Sequence, residues 1–487
     1  MFDVTDAIVA YVNAIAGMFL VVGIIIIFYS LDDVFVDIAY WVTKLFGMEK
    51  TKHPDISEES LLARPQRYLA VMVPAWHEED VIYDMLKTNV VHSPMTVFFV
   101  GTYPNDYGTQ KEVLKAAEEH PSNIQLVVGP NPGPTTKADC LNALLRGIEE
   151  YEQETGVKFA GYVLHDSEDV IHPLESPLFN ALINELDFIQ IPVYSFSRSL
   201  LQAVAGTYMD EFAEFHNKDL VIREQLTGIV PCAGVAACFS RRAMDAIKQA
   251  RGGEVFDSTA LTEDYDIAFL IKQLGLKPAF VHNPASYTMD IPEGTSELQR
   301  IEHKLAIAVR EYFPDDYRAA YRQRSRWILG IGFQGASKLG WGDTVAEKIF
   351  FVRDRKGIFS GIIAVIAYFL TFNAVLIAVL AKYSEDWRIA AYALLDPALK
   401  IVFFINVALL VNRLIQRMIF ATKVYGLAQG LMAGPRVIFS NFVNFSAALR
   451  ALYIFIWRHK VQKEPLGWDK TAHSIPVQNE AQPVLTQ

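Results

Sequence analysis

The chain has few cysteines and an excess of negative charge. Of its 487 residues only Cys140, Cys232 and Cys238 are cysteines, and they form neither a CxxC pair nor an even set. We therefore expect reduced thiols in a cytosolic domain, with no disulfide framework and no cysteine zinc site. His77 has no second histidine at zinc-protease spacing. The net charge of −11 disfavours nucleic acid as a partner.

Apolar residues, in contrast, make up 52% of the chain, which predicts membrane segments. Ala7 to Leu31 contains no charged residue and is long enough to cross a hydrocarbon core of about 30 Å. The acids before it and its length argue against a signal peptide. Gly357 to Ala381 and Ile401 to Phe420 are two further candidates, so we expect about three transmembrane helices.

Basic residues predict the orientation of these helices. They precede the second candidate and end the third: Lys348, Arg353, Arg355, Lys356, Arg413, Arg417 and Lys423. By the positive-inside rule both ends are cytosolic, and the N-terminus is outside. In the stretch from Ile438 to Ile456 apolar residues recur on one side at helical spacing. This pattern predicts an interfacial helix that does not span.

From about Pro65 onward, short apolar runs alternate with helical patterns. The runs Tyr68 to Val73, Thr96 to Gly101, Ile124 to Val128 and Phe188 to Val193 read as strands, and another strand precedes Asp166. This alternation predicts an α/β fold with a mostly parallel sheet. The expected domains are a transmembrane helix and linker (1–60), a cytosolic α/β domain (61–340), two transmembrane helices with interfacial helices (341–460) and a cytosolic tail (461–487).

Acidic residues follow the strand that contains Val163 and Leu164. Asp166 and Glu168 come directly after it, where ligands bind in open α/β sheets. Two alternate carboxylates suit one hard divalent cation shared with substrate phosphates. A solvated acidic turn is the alternative for these residues taken alone. The pattern therefore suggests metal and nucleotide chemistry.

Polar clusters follow the other expected strands as well. Glu78, Asp106 and Lys137 lie at three strand ends, although each alone also fits a helix start, a turn or a solvated lysine. Glu263 and Asp264 precede a helix, where a capping turn is the alternative. Further on, three residues share one face of a basic, aromatic helix that suits a pyrophosphate and a sugar acceptor, or else a membrane surface: Gln323, Arg326 and Trp327.

Five of these motifs, in order over residues 65 to 335, resemble the membrane-integrated family 2 glycosyltransferases. They are VPAWHEE, KADCLN, DSED, LTED and QRSRW. The resemblance implies a GT-A (Rossmann-like) domain. Glu168 departs from the aspartate that many members have at that position.

The resemblance also implies roles for individual residues. The nucleotide-sugar-binding residues would be Pro74, Glu78, Asp106, Lys137, Asp166, Gln323, Arg326 and Trp327. Asp166 and Glu168 would hold Mg²⁺ or Mn²⁺, and Asp264 would be the catalytic base, with Glu263 beside it. The implied activity is inverting transfer of a sugar, most readily from a UDP-sugar, to a glycan or lipid-linked hydroxyl.

The phrases GTYPND and HDSEDVIHP and the tail WDKTAH are most similar to the NfrB-type bacterial inner-membrane glycosyltransferases. In the tail, Lys470 and Thr471 would cover the pyrophosphate. Relatives of this type often carry a C-terminal module for cyclic di-GMP, which we do not expect before Gln487. An envelope partner or a homo-oligomer would serve export of a polysaccharide. The alternative is a membrane anchor or receptor component that binds a nucleotide or a partner without turnover; a transporter is a weak third reading.

Overall fold

The computed structural model describes residues 4–48, 55–91, 95–291 and 299–463. The strands are β1 (Leu69–Pro74), β2 (Thr96–Thr102), β3 (Ile124–Val128), β4 (Gly161–Leu164), β5 (Phe188–Gln190), β6 (Val193–Ser195), β7 (Ala237–Ser240), β8 (Pro278–Phe280), β9 (Pro284–Ile291), β10 (Gln299–Ala306) and β11 (Val309–Glu311).

The helices that precede and cover the sheet are α1 (Val4–Leu45), α2 (Glu58–Ala63), α3 (Ile82–Val90), α4 (Tyr107–Glu119), α5 (Lys137–Thr155), α6 (Glu175–Leu182), α7 (Ala203–Glu214), α8 (Leu220–Thr227), α9 (Arg241–Ala250) and α10 (Glu263–Gln273). They are followed by α11 (Tyr317–Trp327), α12 (Gly335–Leu339), α13 (Val345–Leu380), α14 (Glu385–Ala390), α15 (Pro397–Tyr425) and α16 (Leu427–Leu452). Three π-helical segments continue α7, α11 and α16: Phe215–Asp219, Ile328–Gln334 and Tyr453–Val461.

Seven strands form the central sheet in the order β3-β2-β1-β4-β7-β5-β8. β7 runs antiparallel to β4 and β5, and the other neighbouring pairs are parallel. The expected mostly parallel α/β sheet is therefore confirmed. Because the chain order reverses direction between β1 and β4, a crevice opens beyond the carboxyl ends of these two strands.

The sheet is buried on both faces. Every residue of β1 (LAVMVP) and of β2 (TVFFVGT) is buried, and the continuous apolar runs are typical of strands covered on both sides. One apolar core lies on each face of the sheet. The expected strand from Phe188 to Val193 is in fact two short strands, β5 and β6, because Pro192 interrupts the ladder between them.

Four helices in the described part of the chain are long and apolar enough to cross a membrane, one more than the three expected. They are α1, α13, α15 and the continuous helix Leu427–Val461. Arg413 and Arg417, the two charged residues of the third candidate, face protein: Arg413 Nη1 lies 2.7 Å from Glu214 Oε1 and Arg417 Nε lies 2.9 Å from Glu214 Oε2.

The additional helix starts at Leu427, well before the stretch expected to be interfacial. It contacts α7 and α11 along its length: Arg436 Nη2 donates to Asp210 Oδ1 at 2.8 Å, and Arg324 Nη1 donates to Asn444 Oδ1 at 2.7 Å. Polar contacts to the same domain run from Gln429 to Arg450. At 1.5 Å per residue, this is about 30 Å of helix.

The other side of this helix exposes large apolar residues: Leu431, Ile438, Phe439, Phe442, Leu449 and Ile456. A helix that leaves the membrane surface at right angles would contact the α/β domain over only a turn or two. Length and composition therefore make α16 a candidate span, whereas its contacts support the interfacial orientation, which stays a prediction.

We predict that Lys463→Cys resists a membrane-impermeant thiol reagent added outside intact cells, because an interfacial α16 keeps its end beside the α/β domain, on the expected cytosolic side. Tyr383→Cys, in the exposed turn after α13, is the matched control and should label. The three native cysteines are buried and give a low background. Labelling of both variants would mean that α16 spans.

Candidate functional site

The turns after β1 and β2 are fastened to one another. Asp106 caps α4, its Oδ1 accepting from the Thr109 N–H at 3.3 Å and its Oδ2 from the His77 N–H at 2.7 Å. The Glu78 N–H donates to Thr109 Oγ1 at 2.9 Å. His77 has a φ of 55°, a left-handed conformation that costs a non-glycine residue roughly 1–3 kcal/mol and that clusters at ligand sites.

Aromatic rings form a wall beside these turns. Trp76 packs edge to face on Tyr103, with 4.9 Å between ring centroids. Gly133 lies against the indole, since a Cβ there would be 2.4 Å from Trp76 Cζ3. The Gly133 N–H donates to Asn105 Oδ1 at 2.7 Å, and Asn105 Nδ2 donates back to the Gly133 carbonyl at 2.9 Å. Pro74, the last residue of β1, leads into this wall.

Lys137 lies at the centre of the crevice. It is the first residue of α5, which Thr136 caps, and its Nζ donates to Asp166 Oδ1 at 2.5 Å and to the Gly234 carbonyl at 3.5 Å. Burial opposes the charge of the ammonium, but the carboxylates of Asp166, Glu263 and Asp264 outweigh burial and raise the pKa of Lys137. Lys137 therefore stays a cation between two acidic groups.

The turn that carries Asp166 is braced from behind. Asp169 Oδ2 accepts from the Asp166 N–H at 3.0 Å and lies 2.8 Å from His165 Nδ1, while His165 Nε2 lies 2.7 Å from Glu175 Oε1. Burial opposes protonation of His165, but Glu175 and Asp169 outweigh it and raise its pKa to about 10. Asp169 thus caps the turn that begins at Asp166.

Glu168 points into an acidic environment. Burial, and after it the charges of Glu311, Asp166 and Asp169, raise the pKa of Glu168. Glu311 comes from β11, which pairs with β6, and an isolated bridge between Val170 and Arg310 holds this strand beside the Asp166 turn.

A divalent cation fits this group of acids. The donors are carboxylate oxygens, which hard cations prefer, and Lys137 contacts one of the two oxygens of Asp166. Asp169 Oδ1 is buried and has no hydrogen-bond partner among the described residues. Asp166 and Glu168 are the residues that would hold the ion.

A group with metal-ligand geometry lies at the neighbouring turn. Ligand atoms of His77, Glu79 and Asp106 lie within 4.8 Å of one another. Both oxygens of Asp106 already accept backbone N–H groups, and exposed acids often lie close together without an ion. The turn after β1 is therefore an alternative place for an ion, and the metal role of Asp166 and Glu168 stays a prediction.

Asp264 faces Lys137 across Gly234. The Tyr265 N–H donates to Asp264 Oδ1 at 2.7 Å, which leaves Oδ2 directed at Gly234. Burial raises the pKa of Asp264, whereas Lys137 lowers it. Burial and the neighbouring Asp264 raise the pKa of Glu263 to about 8. Asp264 is thus the carboxyl group of this pair that borders the crevice.

The helix that carries Gln323, Arg326 and Trp327 packs over the same region. Burial raises the pKa of Asp264, and the charge of Arg326 is among the smaller effects that lower it. The side-chain oxygen Oε1 of Gln323 is buried without a hydrogen-bond partner among the described residues. The Trp327 ring lies 6.1 Å from that of Tyr208, on α7. Arg326 is therefore near enough to Asp264 for their charges to interact, whereas Trp327 contacts α7.

Sequence reasoning missed three residues of this site. They are Gly234, Glu311 and His165, none of which was singled out as a candidate site residue. The φ of 81° at Gly234 and the strand pairing of Glu311 leave no signature in the sequence. Lys470 and Thr471 lie outside the described residues.

A family model described as "Glycosyltransferase like family 2" matches residues 65–330, more than half of the chain. The chain belongs to this family. The membership that the five motifs predicted is therefore confirmed, and with it the expected GT-A type of α/β domain. In the structure the motifs VPAWHEE, KADCLN, DSED and LTED lie at one crevice, although no comparison tests the individual roles.

Two curated relatives are each 39% identical over 476 residues. They are bacteriophage adsorption protein B of Escherichia coli strain K12 and bacteriophage N4 adsorption protein B of Escherichia coli O157:H7. The match covers 97% of this chain, which spans 64% of the relatives' length.

A similar solved structure is a mannosyltransferase from Pyrobaculum calidifontis in complex with GDP-Man and Mn²⁺. It is 16% identical, covers 91% of this chain and 99% of its own, and has a TM-score of 0.49.

We predict that Gly234→Ala abolishes sugar transfer, because the added Cβ would lie 2.5 Å from Asp264 Oδ2. Gly228→Ala is the matched control: it has a similar φ of 68° but nothing within 4 Å of the added Cβ. Both variants should lose about 1 kcal/mol of stability to the left-handed backbone. Thermal unfolding and a transfer assay separate the two effects; equal activity in both would contradict the close approach at Gly234.

Proposed function

We propose that this glycosyltransferase moves a sugar from a nucleotide diphosphate sugar to a hydroxyl acceptor with inversion at the anomeric carbon. The observation that carries the proposal is the position of Lys137, which lies 2.5 Å from Asp166 on one side and beside Gly234 and Asp264 on the other. The Lys137 ammonium would thus lie between Asp166, on the side of the leaving diphosphate, and Asp264, on the side of the general base.

Asp264 is the general base in this proposal. Its Oδ2 takes the proton of the acceptor hydroxyl as the oxygen attacks the anomeric carbon from the face opposite the diphosphate. Such a base is effective when it lies within roughly 2.6–3.2 Å of the proton-bearing oxygen. Burial and the charge of Asp264 raise the pKa of Glu263, and Lys137 is the main charge that lowers the pKa of Asp264, so the negative charge of the pair favours Asp264.

Lys137 stabilises the departing diphosphate. Its ammonium stays charged, and a fixed cation in a water-poor crevice stabilises the negative charge that develops on the leaving oxygen. Asp166 and Glu168 would hold Mg²⁺ or Mn²⁺, which supplies further neutralisation of the diphosphate when bound.

The turns after β1 and β2 would hold the nucleoside. Asp106 fixes both turns, Glu78 is buried between them, and Trp76 offers an aromatic face. We propose a UDP-sugar, carrying a hexosyl or N-acetylhexosaminyl group, as the donor. Gln323, Arg326 and Trp327 would serve the acceptor and the pyrophosphate, and Lys470 and Thr471 would cover the donor.

We further propose that the protein lies in the bacterial inner membrane, with the domain of residues 61–340 in the cytosol. Residues 1–60 and 341–460 would be the membrane segments on either side of this domain, and residues 461–487 a cytosolic tail. The acceptor would be a glycan or lipid-linked glycan, and export would need an envelope protein or a homo-oligomer. The relatives are named for bacteriophage adsorption. That name is compatible with a product that is a surface polysaccharide. It is also compatible with the second candidate function, a membrane anchor that binds without turnover.

We predict that Asp264→Asn retains nucleotide binding and loses roughly 10²- to 10⁴-fold in transfer, the usual contribution of a general base. The assay is turnover of a panel of nucleotide sugars with Mg²⁺ or Mn²⁺. Asp266→Asn is the matched control, because Asp266 lies on the same helix but pairs with Arg251 at 2.7 Å. If the protein is a membrane anchor, both variants will bind the nucleotide equally and neither will turn it over. Near wild-type transfer by Asp264→Asn would show that Asp264 is not the base.

We predict that EDTA stops transfer and that added Mg²⁺ or Mn²⁺ restores it. Asp166→Ala and Glu168→Ala should each raise the metal concentration needed for half-maximal activity, because each removes an oxygen ligand. Glu79→Ala tests the neighbouring group of possible ligands and should leave the metal requirement unchanged. If only Glu79→Ala raises the requirement, the ion binds at the turn after β1 instead.

A further inference from the structure

Four consecutive charged residues at the start of the apolar stretch of α13 connect it to different parts of the protein. Arg353 pairs with Asp33 at 2.6 Å, and Lys356 pairs with Asp32 at 2.7 Å, both on α1. Arg355 donates to the Gly335 carbonyl at 3.3 Å, just beyond the helix that carries Arg326. The fourth residue, Asp354, is directed at the α/β domain.

Asp354 joins α13 to the first turn of α10, which contains Asp264 and Tyr265. Arg223 of α8 forms a fork with it, with Nη1 to Oδ1 at 2.9 Å and Nη2 to Oδ2 at 2.8 Å. The hydroxyl of Tyr265 also donates to Asp354 Oδ2. Tyr265 is the next residue after Asp264, and its N–H donates to the Asp264 carboxylate. One tyrosine thus contacts the base through its backbone and α13 through its side chain.

Apolar packing continues the same connection. Phe269, one helical turn after Tyr265, stacks on Phe351 of α13, with 5.0 Å between centroids. Tyr265, Phe269 and Phe351 belong to one small core, separate from those of the sheet. The first turn of α10 is therefore fixed against the membrane helix, whereas Lys137 and Asp166 are fixed by the sheet.

We propose that Tyr265 and Asp354 are positioning residues, which set the place of the Asp264 carboxylate relative to the donor through the membrane helix. This inference rests on the proposed function. Neither residue contacts substrate; the pair acts through the first turn of α10. A misplacement of a catalytic group by about 1 Å can lower the rate roughly 10²-fold. Loss of the single hydrogen bond from Tyr265 to Asp354 is therefore expected to lower the rate measurably.

The test compares Tyr265→Phe with Tyr425→Phe in the full membrane-inserted chain. Each change removes one hydroxyl that joins the α/β domain to a membrane helix, and Tyr425 donates to the Ser195 carbonyl at 2.9 Å, in β6 rather than beside the base. In Tyr265→Phe, Asp354 retains its fork with Arg223.

We predict that Tyr265→Phe lowers kcat by roughly 10- to 100-fold with an unchanged KM for the nucleotide sugar, the range expected for a displaced catalytic group. Tyr425→Phe should match its loss of thermal stability and keep kcat. Asp354→Asn keeps an oxygen acceptor for Tyr265 but removes the charge that pairs with Arg223, so it should lower kcat less than Tyr265→Phe does. If Tyr265→Phe does not fold, a kcat of Asp354→Asn below that of Tyr425→Phe would support the inference, and an equal kcat would overturn it.

Equal kcat in Tyr265→Phe and Tyr425→Phe would overturn the inference, and so would a change confined to KM. Asp264→Asn separates this failure from failure of the proposed function. If Asp264→Asn is inactive while Tyr265→Phe is normal, only the positioning role is wrong. If Asp264→Asn is active, the base assignment fails first.

Discussion

The arrangement of the chain depends on buried charges where its long apolar helices meet the α/β domain. Glu214 accepts from Lys218 at 2.6 Å and pairs with Arg413 and Arg417 of α15, although both Glu214 and Lys218 are almost fully buried. An unpaired charge in such a place costs several kcal/mol, and removing one partner of a buried pair typically costs about 3–5 kcal/mol. These pairs therefore fix the position of the helices relative to the domain.

The residues of the crevice are positioned by two different parts of the protein. The sheet alone brings Lys137 and Asp166 together, because both follow strand ends at the same edge. Asp264 comes from α10, whose first turn is tied to α13 through Tyr265. The sheet therefore positions Lys137 and Asp166, and the contact with the membrane helix positions Asp264, the proposed base. Gly234, without a side chain, lets the two sides meet.

The sequence was sufficient for the features that local patterns determine. Continuous apolar runs identified five of the seven strands of the central sheet, β1 to β5, but not β7 and β8, and the motifs identified the family. It was insufficient where distant segments decide the outcome: Glu311 reaches the Asp166 turn only because β11 pairs with β6. The helix expected from Ile438 to Ile456 starts earlier, at Leu427, and composition does not distinguish a spanning helix from one lying on a surface. The roles of the site residues stay predictions.

A π-helical segment continues α11 towards the membrane helix α13. Gln323, Arg326 and Trp327 lie within the regular α-helix, and the π-helical segment begins at Ile328, directly after Trp327. Within it Gly330 packs on Thr262, where an added Cβ would clash with the threonine side chain, and Gly332 packs on Ile358 of α13. A wider turn with two glycines allows one segment to contact the loop before Asp264 and the membrane helix at once. π-Helical turns often occur at functional sites, and here the turn joins the helix of Gln323, Arg326 and Trp327 to the part of α13 that contacts Tyr265.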